Sequence, residues 1–138
     1  MAKPERVFVD TDIILDLLAK REPYHIHAAA LFTLADLNKV ELCISPLTYY
    51  TISDIVFQQG SSKKSRMNLM KLKTLITFLP VNDRIIELTL TSNFKDFEEG
   101  IQYHTAQEYN IKTLITRKLK EYKTAEMTIL TAEQYLKG

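Results

Sequence analysis

An α/β fold built around a mainly parallel sheet is predicted by three features of the chain. Short apolar runs, RVFVD, VELCIS, IKTLIT and TIL, alternate with longer amphipathic segments, the pattern of strands joined by helical crossovers. No repeat, low-complexity tract or linker divides the 138 residues, which most simply make one domain spanning 1–138 with a sizeable core. Finally, two carboxylates, Asp10 and Asp12, follow the first apolar run directly, at the strand end where open parallel sheets gather their sites.

Each element has its own signal. RVFVD (6–10) reads as a buried strand, and Asp12 to Lys20 as a helix with Ile13, Ile14, Leu17 and Leu18 inward. Pro23 disfavours helix at Glu22 and breaks that pattern. His25 to Asn38 returns to helix, with Ala28, Leu31, Leu34 and Ala35 at helical spacing. VELCIS (40–45) is the second strand, and Pro46 opens a helix running to about Gln58. QQGSSKK (58–64) is the clearest loop. A basic helix is expected over Lys63 to Phe78, with Leu69, Leu72, Leu75 and Ile76 as its stripe, then a short strand FLPV (78–81). Helices follow from Asp83 and over 96–110, strands at 111–116 and 128–130, and a last helical turn or two closes the chain.

Composition excludes little. Eighteen basic residues nearly balance seventeen acidic ones, net +1, so only local clusters speak for nucleic acid. The lone cysteine, Cys43, lies in an apolar run and reads as a buried structural thiol. No apolar stretch approaches the ~20 residues that span a bilayer, and the start, MAKPERVFVDTD, has charges where a signal peptide has its apolar segment. A soluble, cytoplasmic protein is expected.

The acids fall into two groups. Asp10, led into by apolar residues, is read as pointing into the crevice above the sheet. Capping is the competing role, and weighs more for Asp12. Asp16, four residues on, is at the site's edge or solvated. In KDFEEG (95–100), Asp96 and Glu99 are three apart and on one helical face would share a cation. The same spacing is that of a capping box, with Asp96 capping and Glu99 projecting into the crevice. Glu98 is expected to face solvent. Carboxylates collected from separate strand ends suit Mg²⁺ or Mn²⁺ and phosphodiester hydrolysis. His25, His27 and His104 form no zinc-like cluster.

A basic stretch stands apart. No acidic residue lies between Ile55 and Asn82, while Lys63, Lys64, Arg66, Lys71 and Lys73 do. Such a face either holds phosphates in a salt-sensitive way or is simply solvated. Tyr49 and Tyr50 are read as packing residues or base-stacking platforms.

With these residues in hand, the chain resembles the PIN-domain family, particularly the VapC-like toxins of bacterial toxin–antitoxin pairs. VFVDTDIILDLLAKREPYH is similar to that family's opening strand and helix, CISPLTYYTISDI to its second, DFEEGIQYHTA to its third acidic motif and LITRKLKEYK to its fourth. The resemblance implies a three-layer α/β/α sandwich and a Mg²⁺- or Mn²⁺-dependent endoribonuclease acting on RNA. It also implies a homodimer and a cognate antitoxin protein as partner. Asp10 and Glu99 would be the catalytic metal ligands, with Asp96 and Glu121 as further metal ligands, and Asp12 and Thr116 supporting them from behind. Three positions depart from the pattern: Thr51 replaces the second acid, Glu99 stands where aspartate is usual, and Lys118 occupies the fourth position, three residues before Glu121. Only Asp10 is carried over unchanged.

Two rivals follow. One is a PIN-fold module that binds RNA or protein without cutting. The other is a haloacid-dehalogenase-like phosphatase using Asp10 and Asp12, although Ile13 and Ile14 replace the usual continuation of that motif.

Overall fold

The computed structural model describes residues 3–122 and 126–138. Lys123, the last residue of the fourth motif, lies outside them. The elements are β1 (Glu5–Val9), α1 (Thr11–Leu18), α2 (His25–Asp36), β2 (Val40–Ile44), α3 (Pro46–Gln59) and α4 (Ser62–Lys73). These are followed by β3 (Ile76–Phe78), α5 (Asp83–Leu90), α6 (Phe97–Glu108), β4 (Thr113–Ile115), β5 (Thr128–Leu130) and α7 (Ala132–Lys137). The five strands form one sheet in the order β3-β2-β1-β4-β5, and every neighbouring pair is parallel.

Helices cover both faces, and the strand residues alternate between them as a two-residue period requires. Val7, Val9, Leu42, Ile44 and Ile115 join the core under α1, α2, α3, α4 and α7. Phe8, Cys43 and Leu114 point to the other side, where α6 supplies Tyr103 and Ala106 and α5 packs on α6. The result is the expected three-layer α/β/α sandwich. Cys43 is fully buried, and burial pushes its thiol up to about 11, as an inert packing group would be. No described helix is long and apolar enough to cross a membrane.

The crossovers set the position of the site. From β1 the chain builds outward to β2 and β3, then returns to place β4 on the opposite side of β1. A crevice opens outside the carboxyl ends of β1 and β4, where the order reverses. Asp10 immediately follows β1 and Thr116 immediately follows β4, and the Asp10 N–H donates to the Ile115 carbonyl at 2.9 Å.

Several expectations about the elements change, and the loop expected at 58–64 narrows to Gly60 and Ser61 between α3 and α4. The basic helix stops at Lys73 instead of Phe78, and the third strand is Ile76–Phe78 instead of 78–81. The run TLITFLPV fits either periodicity, and the β-branched Ile76 and Thr77 pair with Leu42 and Cys43 on the sheet edge. The cap of α1 is Asp10, not Asp12. Asp12 sits inside the first turn of α1 and accepts the Arg117 N–H instead.

Candidate active site

The carboxylate of Asp10 is 1% exposed and held at both oxygens. Its Oδ1 accepts the Thr11 N–H at 2.7 Å, and its Oδ2 accepts the Thr116 hydroxyl at 2.7 Å. Thr116 in turn accepts the Lys118 N–H at 2.9 Å, so the loop after β4 is tied to the end of β1. Burial raises the Asp10 carboxyl above the usual carboxylate range, against the Thr116 bond and the Lys118 charge.

Glu99 reaches the same crevice from the first turn of α6. Asp96 caps this helix, its Oδ1 accepting the Glu99 N–H at 3.0 Å. The return half of a capping box is not made, because the Glu99 carboxylate pairs with Lys118, Nζ to Oε2 at 3.1 Å. Its side chain is 6% exposed and that of Lys118 is 47%. Burial raises the Glu99 carboxyl, tempered by Lys118. For Lys118, burial works to lower the ammonium, but the Glu99 bond and the charge of Asp10 outweigh it and hold it above its ordinary value.

Asp12 lies beside Asp10. Its Oδ2 accepts the Arg117 N–H at 3.0 Å. Its Oδ1 is buried with no hydrogen-bond partner among the described residues. Burial and the neighbouring Asp10 charge push its carboxyl up to about 7. Asp16 is buried rather than solvated, gripped by Arg117 through Nε at 2.8 Å and Nη2 at 3.1 Å, with the guanidinium stacked 3.9 Å from the Tyr24 ring centre.

Other expected residues lie elsewhere. Asp96 is exposed and occupied as the α6 cap. As a cap it is not helical (φ −98°, ψ 122°), so it shares no helical face with Glu99. Glu121 is exposed in the turn after β4, and no described hydrogen bond or ion pair joins its side chain to the crevice. Lys63, Lys64, Arg66, Lys71 and Lys73 are all exposed on α4. Lys64 lines a hollow with Leu18, Ala19 and Gly60. Since α1 and α3 both begin at the crevice, this is their far end. Tyr49 packs edge-on to Phe78 and donates its hydroxyl to the Leu69 carbonyl, while Tyr50 is exposed. His27 pairs with Glu133, and His104 contacts Thr89 and the Gly100 carbonyl.

Glu98, expected to face solvent, is half-buried at the crevice instead. Its Oε1 accepts the Thr11 hydroxyl at 2.9 Å, and Thr51 lies 3.5 Å from its Oε2. Gln102 also stands within 3.3 Å of Glu98 Oε1, and it accepts the hydroxyl of the fully buried Tyr122 at 3.1 Å. Glu98 and Gln102 are four apart on α6, a spacing that puts them on one face and was readable as such. The Tyr122 phenol is pushed far up by burial and by the charges of Asp10, Glu99, Asp12 and Glu98.

Among the described residues no group of three or more His, Cys, Asp or Glu is disposed to hold a metal ion. The donors present are nonetheless hard oxygens of the kind that bind Mg²⁺ or Mn²⁺ through one or two carboxylates, with water completing the shell. A cation, the Lys118 ammonium, already rests against one of them. Asp10 and Glu99 thus supply hard oxygen donors of the type a water-rich divalent ion takes, without building an all-protein cage.

A three-layer α/β/α domain with an acidic crevice at the switch point of its sheet is the class that fold and site define. A PIN domain family model matches residues 6–120, and the chain belongs to the PIN-domain family. It is 24% identical over 140 residues to Ribonuclease VapC1 of Aquifex aeolicus, covering 95% of this chain and 93% of that protein. Its fold is similar to that of VapBC-1 from nontypeable Haemophilus influenzae, with TM-score 0.69, 20% identity and 93% and 98% of the two chains covered. It is also similar to a toxin–antitoxin complex from Klebsiella pneumoniae, with TM-score 0.69, 21% identity and coverage of 91% and 97%. Family membership displaces the phosphatase reading of Asp10 and Asp12.

Proposed function

We propose that this protein is a Mg²⁺- or Mn²⁺-dependent endoribonuclease that hydrolyses RNA phosphodiester bonds. The observation that carries this reading is the convergence of two buried carboxylates, Asp10 from the end of β1 and Glu99 from α6, on the crevice outside the sheet. Asp10 and Glu99 would hold the ion, which when bound supplies Lewis acidity toward the phosphoryl oxygen. Thr116 fixes the Asp10 rotamer and Asp12 buttresses the loop through Arg117. The half-exposed Lys118 ammonium, held on Glu99, would face an incoming phosphate. The similarity to a ribonuclease and to a toxin–antitoxin complex supports an RNA substrate and an antitoxin partner, and action as a homodimer in the cytoplasm completes the proposal.

A second reading, an RNA- or protein-binding module without cutting activity, is favoured by Thr51 and Lys118 standing at expected acidic positions. The two are separated by incubating a mixed RNA pool with Mn²⁺, with EDTA, and with Asp10→Asn. Cleavage lost in both controls establishes the nuclease. Intact RNA beside well-folded protein selects the binding module.

A further inference from the structure

We propose that the Lys118 ammonium is the resident counter-ion of the crevice, seated on Glu99 where a divalent cation would be held, and that it must leave Glu99 before such an ion binds. This rests on the metal-site reading above and adds an occupant to it.

The geometry carries the argument. Thr116 ties Asp10 to the Lys118 backbone, the Lys118 ammonium reaches Glu99, and Gln102 joins Glu98 to the buried Tyr122, so these acids share one crevice. The other cation close by, Arg117, is engaged by both oxygens of Asp16. Among the described residues Lys118 is thus left as the ammonium that faces the group, at 3.1 Å from Glu99. Buried carboxylates without a compensating positive charge are costly, and Lys118 offsets part of that cost. Compensation is incomplete, since Asp12, 8% exposed, keeps Oδ1 unpartnered among the described residues.

The same residue is built to let go. Its backbone is pinned, the N–H bound to Thr116, while its side chain is 47% exposed on a four-carbon stem. Rotation about that stem frees Glu99 without moving β4. A divalent ion repels an ammonium twice as strongly as a monovalent one does at the same distance, so the two compete for Glu99, whose Oε2 Lys118 already holds. Entry of the metal and release of the lysine are therefore one exchange. Once released, the ammonium stands at the mouth of the crevice with its donors free for a phosphate.

The test is Mn²⁺ binding without RNA, followed by the paramagnetic signal of free Mn²⁺ at fixed pH and salt. Wild type is compared with Lys118→Met, Lys118→Gln, Lys118→Arg and Asp10→Asn. Lys118→Met keeps the stem and removes the charge, and should bind Mn²⁺ at least about tenfold tighter. Lys118→Gln gives the same direction with a polar end, should the Met variant fold poorly. Lys118→Arg should bind no tighter than wild type. In EDTA both neutral variants should melt below wild type and recover more with Mn²⁺ than wild type does. Equal Mn²⁺ affinity in wild type and both neutral variants, lost in Asp10→Asn, would overturn the exchange and leave the metal site standing. Absence of binding in wild type and neutral variants alike would overturn both.

Discussion

At Thr116 a single hydroxyl joins the ends of two strands. It is fully buried, donates to Asp10 and accepts from the Lys118 backbone. Thr116→Val keeps the shape and leaves a carboxylate oxygen and an N–H unpaired, each such loss costing about 1–3 kcal/mol. Urea unfolding in EDTA should show that loss, and Thr116→Ser should restore most of it. Asp12 predicts a pH effect. Its folded carboxyl titrates near 7, pushed up by burial and by Asp10, while an unfolded aspartate titrates near ~3.9. Between those values the folded state holds the extra proton, so this contribution to stability is complete below the unfolded pKa and is lost as pH rises through 7. Asp10 and Glu99, also raised by burial, act in the same direction. The stability difference between wild type and Asp12→Asn in EDTA should therefore shift in favour of the variant from pH 4 to pH 8. A difference that stays flat across that range would mean that Asp12 is ionised throughout.

The elements that present these residues were largely legible, because caps and periodicity act locally. Asp10, Ser45, Ser61, Asn82, Asp96 and Thr131 each cap a helix through a side-chain oxygen. Less legible was how closely helices approach one another. Gly100 on α6 packs so near α5 that a Cβ would lie 2.6 Å from Thr89 Cγ2 and 3.2 Å from Phe94 Cβ. Thr89 cannot simply rotate away, since its hydroxyl bonds the Ile85 carbonyl and contacts His104. Alanine in a helix interior gains about 1 kcal/mol over glycine, but overpacking costs about 1–3 kcal/mol. Gly100→Ala should thus lose stability overall and displace the first turn of α6, which carries Glu98 and Glu99. Gly60→Ala, where the nearest atom is 3.7 Å away, should be close to neutral. Thermal melts of the two variants compare these sites directly.

Across the whole molecule, alternation of strands and helices made the parallel sheet readable, and Asp10 and Thr116 at strand ends pointed to the crevice. What the chain did not disclose is tertiary. The inward turn of Glu98, the network through Gln102 and Tyr122, and the Lys118–Glu99 pair join segments far apart in sequence. The position of α4 belongs here too. Its first turns share a hollow with the far end of α1, a helix of eight residues spanning about 12 Å, so its lysines stand away from Asp10. Lys63 and Lys64 fall in the first turn of α4 with no acid beside them, where positive charge opposes the helix dipole. Helix stability does not explain them, which leaves the proposed hold on RNA backbone and a solvated face as the two alternatives. Because crevice and α4 are separate, only an RNA long enough to span both should feel the basic face. Replacing Lys63, Lys64 and Arg66 by alanine should weaken binding of such an RNA. It should also flatten the dependence of log affinity on log salt by up to about 2, at ~0.7 for each single-strand phosphate no longer neutralised. Binding of a di- or trinucleotide confined to the crevice should be unchanged. Fluorescence anisotropy across a salt series, with both RNA lengths and Asp10→Asn to block cleavage, makes the comparison. An unchanged slope on the long RNA would mean that α4 is a solvated face and that the crevice residues alone hold the substrate.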